Sequence, residues 1–367
     1  MSNEDEEVIA PRKNPLFRGN ESAEATLYRA AQSARMAHAW LIAGPRGIGK
    51  ATLAYRFARH LLAGPVAAEA GLFGDVPAAD LSLDPEHPVF RRVASGGHAD
   101  LLTVERSINP QSKKLRTEIV VDDVRAATGF LHRTASEGGW RVVIVDTADE
   151  MNRAAANALL KILEEPPPAT VFLLVTHAPG RLLPTIRSRC RTLTLQPLPS
   201  ATVLELLGQY RPELSAEDAA ALTGLSEGSI GAAMDLAEAG GLDLYRDMVR
   251  LLAALPRLDI PGVHALGDRL SRANAAEAFE TFGRLLQDWL SRIVREGAQG
   301  RLPSEIVPGE REAFAAMTAQ ANLAQILEVW EKVSRLFTQA DHANLDRKQV
   351  LIAAFLALQA TVNPETV

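Results

Sequence analysis

GPRGIGKATLA, residues 44–54, carries the spacing of a phosphate-binding loop with one part missing. The pattern is G-x-x-x-x-G-K followed by Ser or Thr, and Gly44, Gly49 and Lys50 hold their places while Ala51 stands where the hydroxyl belongs. Upstream, HAWLIAG is a short apolar strand; downstream, KATLAYRFARHLLA has helical spacing. Strand, glycine-rich turn and helix in that order let the backbone N–H groups around Gly44, Gly47 and Gly49 and the helix N-terminus hold phosphate oxygens, with Lys50 reaching the outer phosphates. The absent hydroxyl is the one that normally coordinates Mg²⁺. Thr52, one position on, is turned about 100° around the helix and does not simply replace it. Metal binding is therefore expected to be weakened.

Farther along, WRVVIVD is an apolar, β-branched run suited to a strand buried on both faces, and it ends in Asp146, a carboxylate fit for Mg²⁺. The next position, where related ATPases place a catalytic glutamate, is Thr147. Asp149 and Glu150 follow too late and read as the start of the next helix, where acidic groups favour the positive end of the dipole. That helix, RAAANALLKILEEP, stops at Pro166–Pro168, and TVFLLVTHA is a further buried strand. DLLTVE and EIVVDD read as additional strands. Strands alternating with helices imply a parallel sheet with helices on both faces and a ligand edge at the carboxyl ends of the strands.

Composition narrows the alternatives. The chain has 367 residues, 47% hydrophobic and 23% charged, enough for two or three domains with cores. No apolar run approaches the ~18–20 residues of a membrane span, and the acidic opening MSNEDEEVIA is unlike a leader, so a cytoplasmic chain with no membrane contact is expected. One cysteine, Cys190, allows neither an internal disulfide nor a four-cysteine zinc module, and no zinc is expected. The histidines of the 64–99 insertion, His87 and His98, read as surface residues. A net charge of −6 opposes coating of nucleic acid by bulk electrostatics and leaves room only for a local basic patch.

The pattern divides the chain into an acidic, flexible lead-in over 1–20, an α/β P-loop domain over 21–199, a small helical lid over 200–241 and an all-helical region over 242–367. Ser215 to Asp218 fits a capping box. Phe279, Phe282, Leu286, Trp289 and Ile293 recur at spacings of 3 and 4, as do Leu323, Ile326, Trp330, Val333 and Phe337, so both sets read as core stripes of a helix bundle.

NALLKILEEPP after the strand ending in Asp146, FLLVTHAPGRLLPTIRSRC after it, and LSEGSIGAAMDLA in the second domain together resemble the clamp-loader branch of the AAA+ proteins. More narrowly, they resemble the delta-prime family of bacterial DNA polymerase III clamp loaders, from about residue 25 to 240 and more loosely through NLDRKQVLIAAFLAL. The resemblance implies an AAA+ P-loop domain, a helical lid and a C-terminal collar through which subunits assemble. It also implies that Arg189, in Ser188-Arg189-Cys190, is an arginine finger offered in trans to ATP on a neighbour. From charge alone, Arg187, Arg189 and Arg191 are an exposed basic edge. Thr176 matches a polar sensor near the γ-phosphate, and Gly231 stands where active relatives carry a nucleotide-facing arginine.

The Mg²⁺ hydroxyl, the catalytic carboxylate and the second sensor are thus missing together. The expected protein is a largely non-hydrolysing stator, in which ATP binds weakly if at all and Mg²⁺ binding is doubtful. Its partners would be motor and clamp-opening subunits and, through the assembly, the sliding clamp and primer-template DNA, faced by the helix starting near Arg153. The alternatives are an ATP-hydrolysing motor rescued by Thr52 and Glu150, a nucleotide-independent scaffold, and a small-molecule P-loop kinase for which no acceptor element is evident.

Overall fold

The computed structural model describes residues 10–33, 35–64, 80–131, 135–136, 139–343 and 345–363. Two compact units are present: one takes in the chain up to Leu206 together with Gly228–Gly231, and the other Leu207–Glu227 with Ala232–Val367. The 200–241 segment is therefore shared between the two units, and its GSIG turn belongs with the P-loop.

In the first unit the order is α1 (Glu21–Ala31), β1 (Ala39–Ala43), α2 (Lys50–Ala63), α3 (Pro88–Ala94), β2 (Leu101–Val104), α4 (Val121–Leu131), β3 (Arg141–Asp146), α5 (Arg153–Glu164), β4 (Thr170–Thr176), α6 (Pro184–Arg187), β5 (Arg191–Thr194) and α7 (Ser200–Tyr210), which runs across the boundary. All strand pairs are parallel, in the order β2-β3-β4-β1-β5. The apolar runs become the three inner strands because every second side chain meets a helical layer. Trp40, Ile42, Val142, Ile144, Leu173 and Val175 join Leu27, Leu53 and Phe57 on one face. Leu41, Val143, Val145, Phe172 and Leu174 join Val124, Leu159 and Leu163 on the other. At ~1.5–3 kcal/mol per fully buried large apolar side chain, these two layers are the main support of the sheet. This is the parallel α/β sheet with helices on both faces expected from the sequence.

Several local expectations are corrected. EIVVDD is no strand: α4 begins at Val121, the Asp123 carboxylate accepts from the Val120 N–H at 2.9 Å, and only Ile119 keeps a lone bridge, to Met151. The fifth strand is RTLT instead, paired on the far side of β1. Residues 10–20 of the presumed lead-in are anchored, because two buried arginines of α2 capture their carbonyls. Arg56 donates to Pro15 at 2.7 Å, and Arg59 to Arg12 and Asn14 at 3.1 and 2.9 Å. Phe17 is buried with them. His98 is 4% exposed, its Nδ1 accepting from the Asp100 N–H, and His87 is half-buried at the N-terminus of α3, accepting from the Val89 N–H. Residues 65–79 of the insertion lie outside the described residues.

The second unit is helical: α8 (Ala216–Leu225), α9 (Ile230–Glu238, its first two residues in the other unit), α10 (Gly241–Ala253), α11 (Ile260–Leu270), α12 (Ala276–Gly297), α13 (Glu310–Thr318), α14 (Leu323–Ala343) and α15 (Arg347–Val362). Ser215 caps α8 as its spacing indicated, accepting from the Asp218 N–H at 3.1 Å. The predicted α12 stripe is buried throughout; on α14, Ile326, Val333 and Phe337 are buried, whereas Leu323 is 36% exposed. Phe337 meets the rings of Phe279 and Phe282 at 5.1 and 6.4 Å, and Trp289 stacks on Phe314 at 5.1 Å. Among the described residues no helix is long and apolar enough to cross a membrane.

Candidate functional site

Sheet order brings the nucleotide candidates to one edge. Because β4 lies between β1 and β3, Ala43 pairs with Thr176 and Val175 with Asp146, so the loop after β1, Thr176 and Asp146 all stand at the carboxyl ends of adjacent strands.

The loop itself is engaged with protein groups. Gly49 takes a left-handed conformation and caps α2, whose first residue is Lys50. Lys50 is 3% exposed and its ammonium donates to the Pro45 carbonyl of its own loop. Burial pulls its pKa from 10.5 down to about 8, although the charges of Asp146 and Asp149 oppose the fall. Onto the loop sits the GSIG turn: the Ser229 hydroxyl donates to the Arg46 carbonyl and the Gly231 N–H to the Gly47 carbonyl, each at 2.9 Å. A Cβ at Gly231 would lie 2.8 Å from the Gly47 Cα, so glycine at this position is what permits this contact.

The acidic side of the edge is equally committed. Asp146 has its pKa raised by burial and by the neighbouring Glu105, with Lys50 pulling the other way. Asp149 and Glu150 belong to a 3₁₀ turn, Ala148–Glu150, and not to α5, which starts at Arg153 with the Asn152 side chain as its cap. The Asp149 carboxylate accepts from the His177 N–H at 2.9 Å; burial alone would raise its pKa, and hydrogen bonding from the Thr176 side and from this N–H brings it below the ordinary range. Glu150 pairs with Arg106 at 3.0 Å. Thr52 is buried on α2 and Thr147 follows Asp146.

These residues, so held, do not fit a magnesium nucleotide. Position 51 offers no hydroxyl, Lys50 is turned to Pro45, and Glu150 is tied to Arg106 and not left free to activate water.

The depressed Lys50 pKa has a checkable consequence. Between about 8 and 10.5 the unfolded chain binds a proton that the folded chain does not, so stability from this group rises with pH across that window. Relative to Lys50→Met, the parent is expected to gain about 1–3 kcal/mol between about pH 7 and about pH 10, read by urea unfolding of both proteins. A difference independent of pH would mean that the ammonium is not desolvated.

Arg189 lies elsewhere, in the loop between α6 and β5. Its side chain is 35% exposed, with Nη1 donating to the Thr185 carbonyl and Nη2 to Glu164, both at 2.9 Å. Arg191 instead stacks over the Trp40 ring at 5.0 Å. Cys190 between them is half-buried, its thiol pushed up to about 11 by burial, so it is a packing residue. The structure does not bring Arg189 to the chain's own phosphate-loop edge: it stands past α6, while that edge is made of Gly44–Lys50, Asp146 and Thr176. No local sequence signal announces the GSIG turn sitting on the loop or the tether between Arg189 and the LEEPP glutamate.

Comparison with known proteins places the chain in a family. The family model described as DNA polymerase III, delta subunit, matches residues 19–199. The DNA polymerase III subunit delta' of Escherichia coli K12 is 32% identical over 297 residues, 81% of this chain and 81% of that one. The chain belongs to the DNA polymerase III delta-prime family. The delta-prime subunit of Pseudomonas aeruginosa is 43% identical over 197 residues, in an alignment covering 53% of this chain and 54% of that relative. The gamma/tau subunit of Mycobacterium tuberculosis H37Rv is 31% identical over 71% of this chain and 43% of its own length. Among solved structures, the gamma subunit-related protein of Thermotoga maritima covers 93% of this chain at 18% identity and a TM-score of 0.44.

Proposed function

We propose that this delta-prime family chain is a clamp-loader subunit that does not turn over ATP and instead offers Arg189 to ATP held by a neighbouring motor subunit. The assembly would open a sliding clamp and place it on primer-template DNA during cytoplasmic DNA replication. The observation that carries the reading is a contrast within one domain. The chain's own cradle is closed on itself, with Lys50 on Pro45 and Gly231 on Gly47, while Arg189 stays accessible. A motor needs the first set free; a trans-acting subunit needs only the second.

Family membership supports assembly with gamma/tau-type motor subunits and a clamp-opening subunit, through the helices of the second unit acting as a collar. The engaged Glu150 disfavours the motor alternative, in which it would activate water. A nucleotide-independent scaffold differs only in what Arg189 does. On this reading the purified chain shows no ATP turnover above background, with or without Mg²⁺, and co-elutes with motor and clamp-opening subunits in size-exclusion chromatography. Turnover by the chain alone, or failure to co-elute, refutes it.

A further inference from the structure

Arg189 does not stand alone: the structure ties it to the end of α5. Glu164 is the last residue of that helix, which can run no further because Pro166–Pro168 follow, so the position of the carboxylate is set by the LEEPP sequence. A carboxylate at a helix C-terminus faces the negative end of the dipole, an unfavourable place unless a cation answers it. Arg189 is that cation: Nη2 donates to Glu164 Oε1 at 2.9 Å while Nη1 donates to the Thr185 carbonyl at 2.9 Å. Glu164 is 45% exposed and Arg189 35%, so the pair contributes little to folding, on the general scale of exposed ion pairs. What two anchors do give a long side chain is a fixed direction. The planar fork loses its rotamer freedom in the free subunit, and its remaining N–H donors stay available.

We propose that Glu164 is a positioning residue for Arg189: it orients the guanidinium before a neighbour's nucleotide arrives, so that the entropy of ordering the arginine is not charged to the hydrolytic step. The inference rests on the trans-acting reading of Arg189 given above. Both motifs were visible in the sequence, LEEPP and SRC; their contact makes them one device.

The test uses the reconstituted motor assembly with DNA and clamp, comparing the parent with Glu164→Ala, Glu164→Gln, Arg189→Ala and the double Glu164→Ala/Arg189→Ala. Misplacing a catalytic group by about 1 Å can reduce rate by up to about 100-fold, so Glu164→Ala is expected to lower kcat for ATP by about 10-fold with KM within about 2-fold. Glu164→Gln, which keeps an acceptor for Nη2, recovers part of that loss. The double variant is no slower than Arg189→Ala, because the carboxylate acts only through the arginine. Unchanged thermal melting of Glu164→Ala separates this from damage to the fold. If Arg189→Ala slows the assembly and Glu164→Ala leaves kcat unchanged or raises it, or if the two losses multiply, positioning is overturned while the trans role stands. If Arg189→Ala changes nothing, the trans role itself falls and the positioning inference with it.

Discussion

Arg189→Ala is expected to slow hydrolysis at the neighbouring ATP site by ~10³-fold or more, the usual worth of an arginine finger, with no loss of fold. The two halves of that expectation have separate reasons. Structurally, Arg189 makes one exposed ion pair and one bond to a loop carbonyl, and removing such contacts changes stability by ~1 kcal/mol at most. Chemically, charge developing on a transferring phosphoryl group needs a cation already in place, and within Ser188–Cys190 Arg189 is the residue that carries one, Cys190 being half-buried and protonated, while the following Arg191 lies over Trp40. Arg189→Lys keeps the charge but not the planar fork and should restore only a small part of the rate. Single-turnover hydrolysis by the assembled complex is the appropriate readout, since it isolates the affected site. Rates within about 2-fold of the parent for both variants would show that Arg189 faces no nucleotide, and a conformational role for this chain would have to carry the function.

The phosphate loop, the strand ending in Asp146 and the strand ending in Thr176 were legible in sequence because each rests on a local signal. Glycines at fixed offsets, a β-branched run and an abrupt polar stop need no partner to be recognised. The parallel sheet followed, since alternating strands and helices leave few other arrangements. EIVVDD misled for the complementary reason: an apolar, β-branched run of this length fits strand and helix start alike, and Asp123, folding back on the Val120 N–H, decided for the helix. Residues 10–20 looked loose by composition. Nothing local announces that Arg56 and Arg59, more than 40 positions away, hold their carbonyls. The closing of the cradle was invisible for the same reason. The lost hydroxyl at position 51 and the lost glutamate at 147 can be read off a pattern, but the Gly231 N–H meeting the Gly47 carbonyl is a contact across 184 positions. Sequence shows where the chain departs from the motif; only the packing shows what the loop touches instead.

Glu310→Ala is expected to destabilise the helical unit by about 3–5 kcal/mol, the scale for removing one partner of a buried ion pair. Glu310 opens α13 with a fully buried side chain, and Arg292, 13% exposed, donates to its Oε1 at 2.6 Å and to the Ser304 carbonyl at 2.5 Å. The Tyr245 hydroxyl donates to the same Oε1, and the Ile306 N–H donates to Oε2 at 2.5 Å. Burial and the adjacent carboxylate push the Tyr245 phenol well above its ordinary range, so it stays a donor at any physiological pH. Deleting the carboxylate leaves Arg292 charged and mostly buried, held by the Ser304 carbonyl, the Tyr245 hydroxyl and the Phe314 ring 5.4 Å away but without its counter-ion. Its strength is therefore not in the pair as such. Replacing both partners with apolar groups of similar volume, Arg292→Met with Glu310→Leu, should recover most of the loss, because the desolvated charge disappears along with its counter-ion. Trp289 and Trp330 belong to this unit, and Trp289 stacks on Phe314 beside the cluster, so tryptophan fluorescence during urea unfolding reports the transition. If these helices form the collar, Glu310→Ala should also fail to join the motor assembly near the temperature at which it melts, while the double variant assembles. A double variant as unstable as the single would show that Tyr245 and the Ile306 N–H, and not Arg292, are what Glu310 serves.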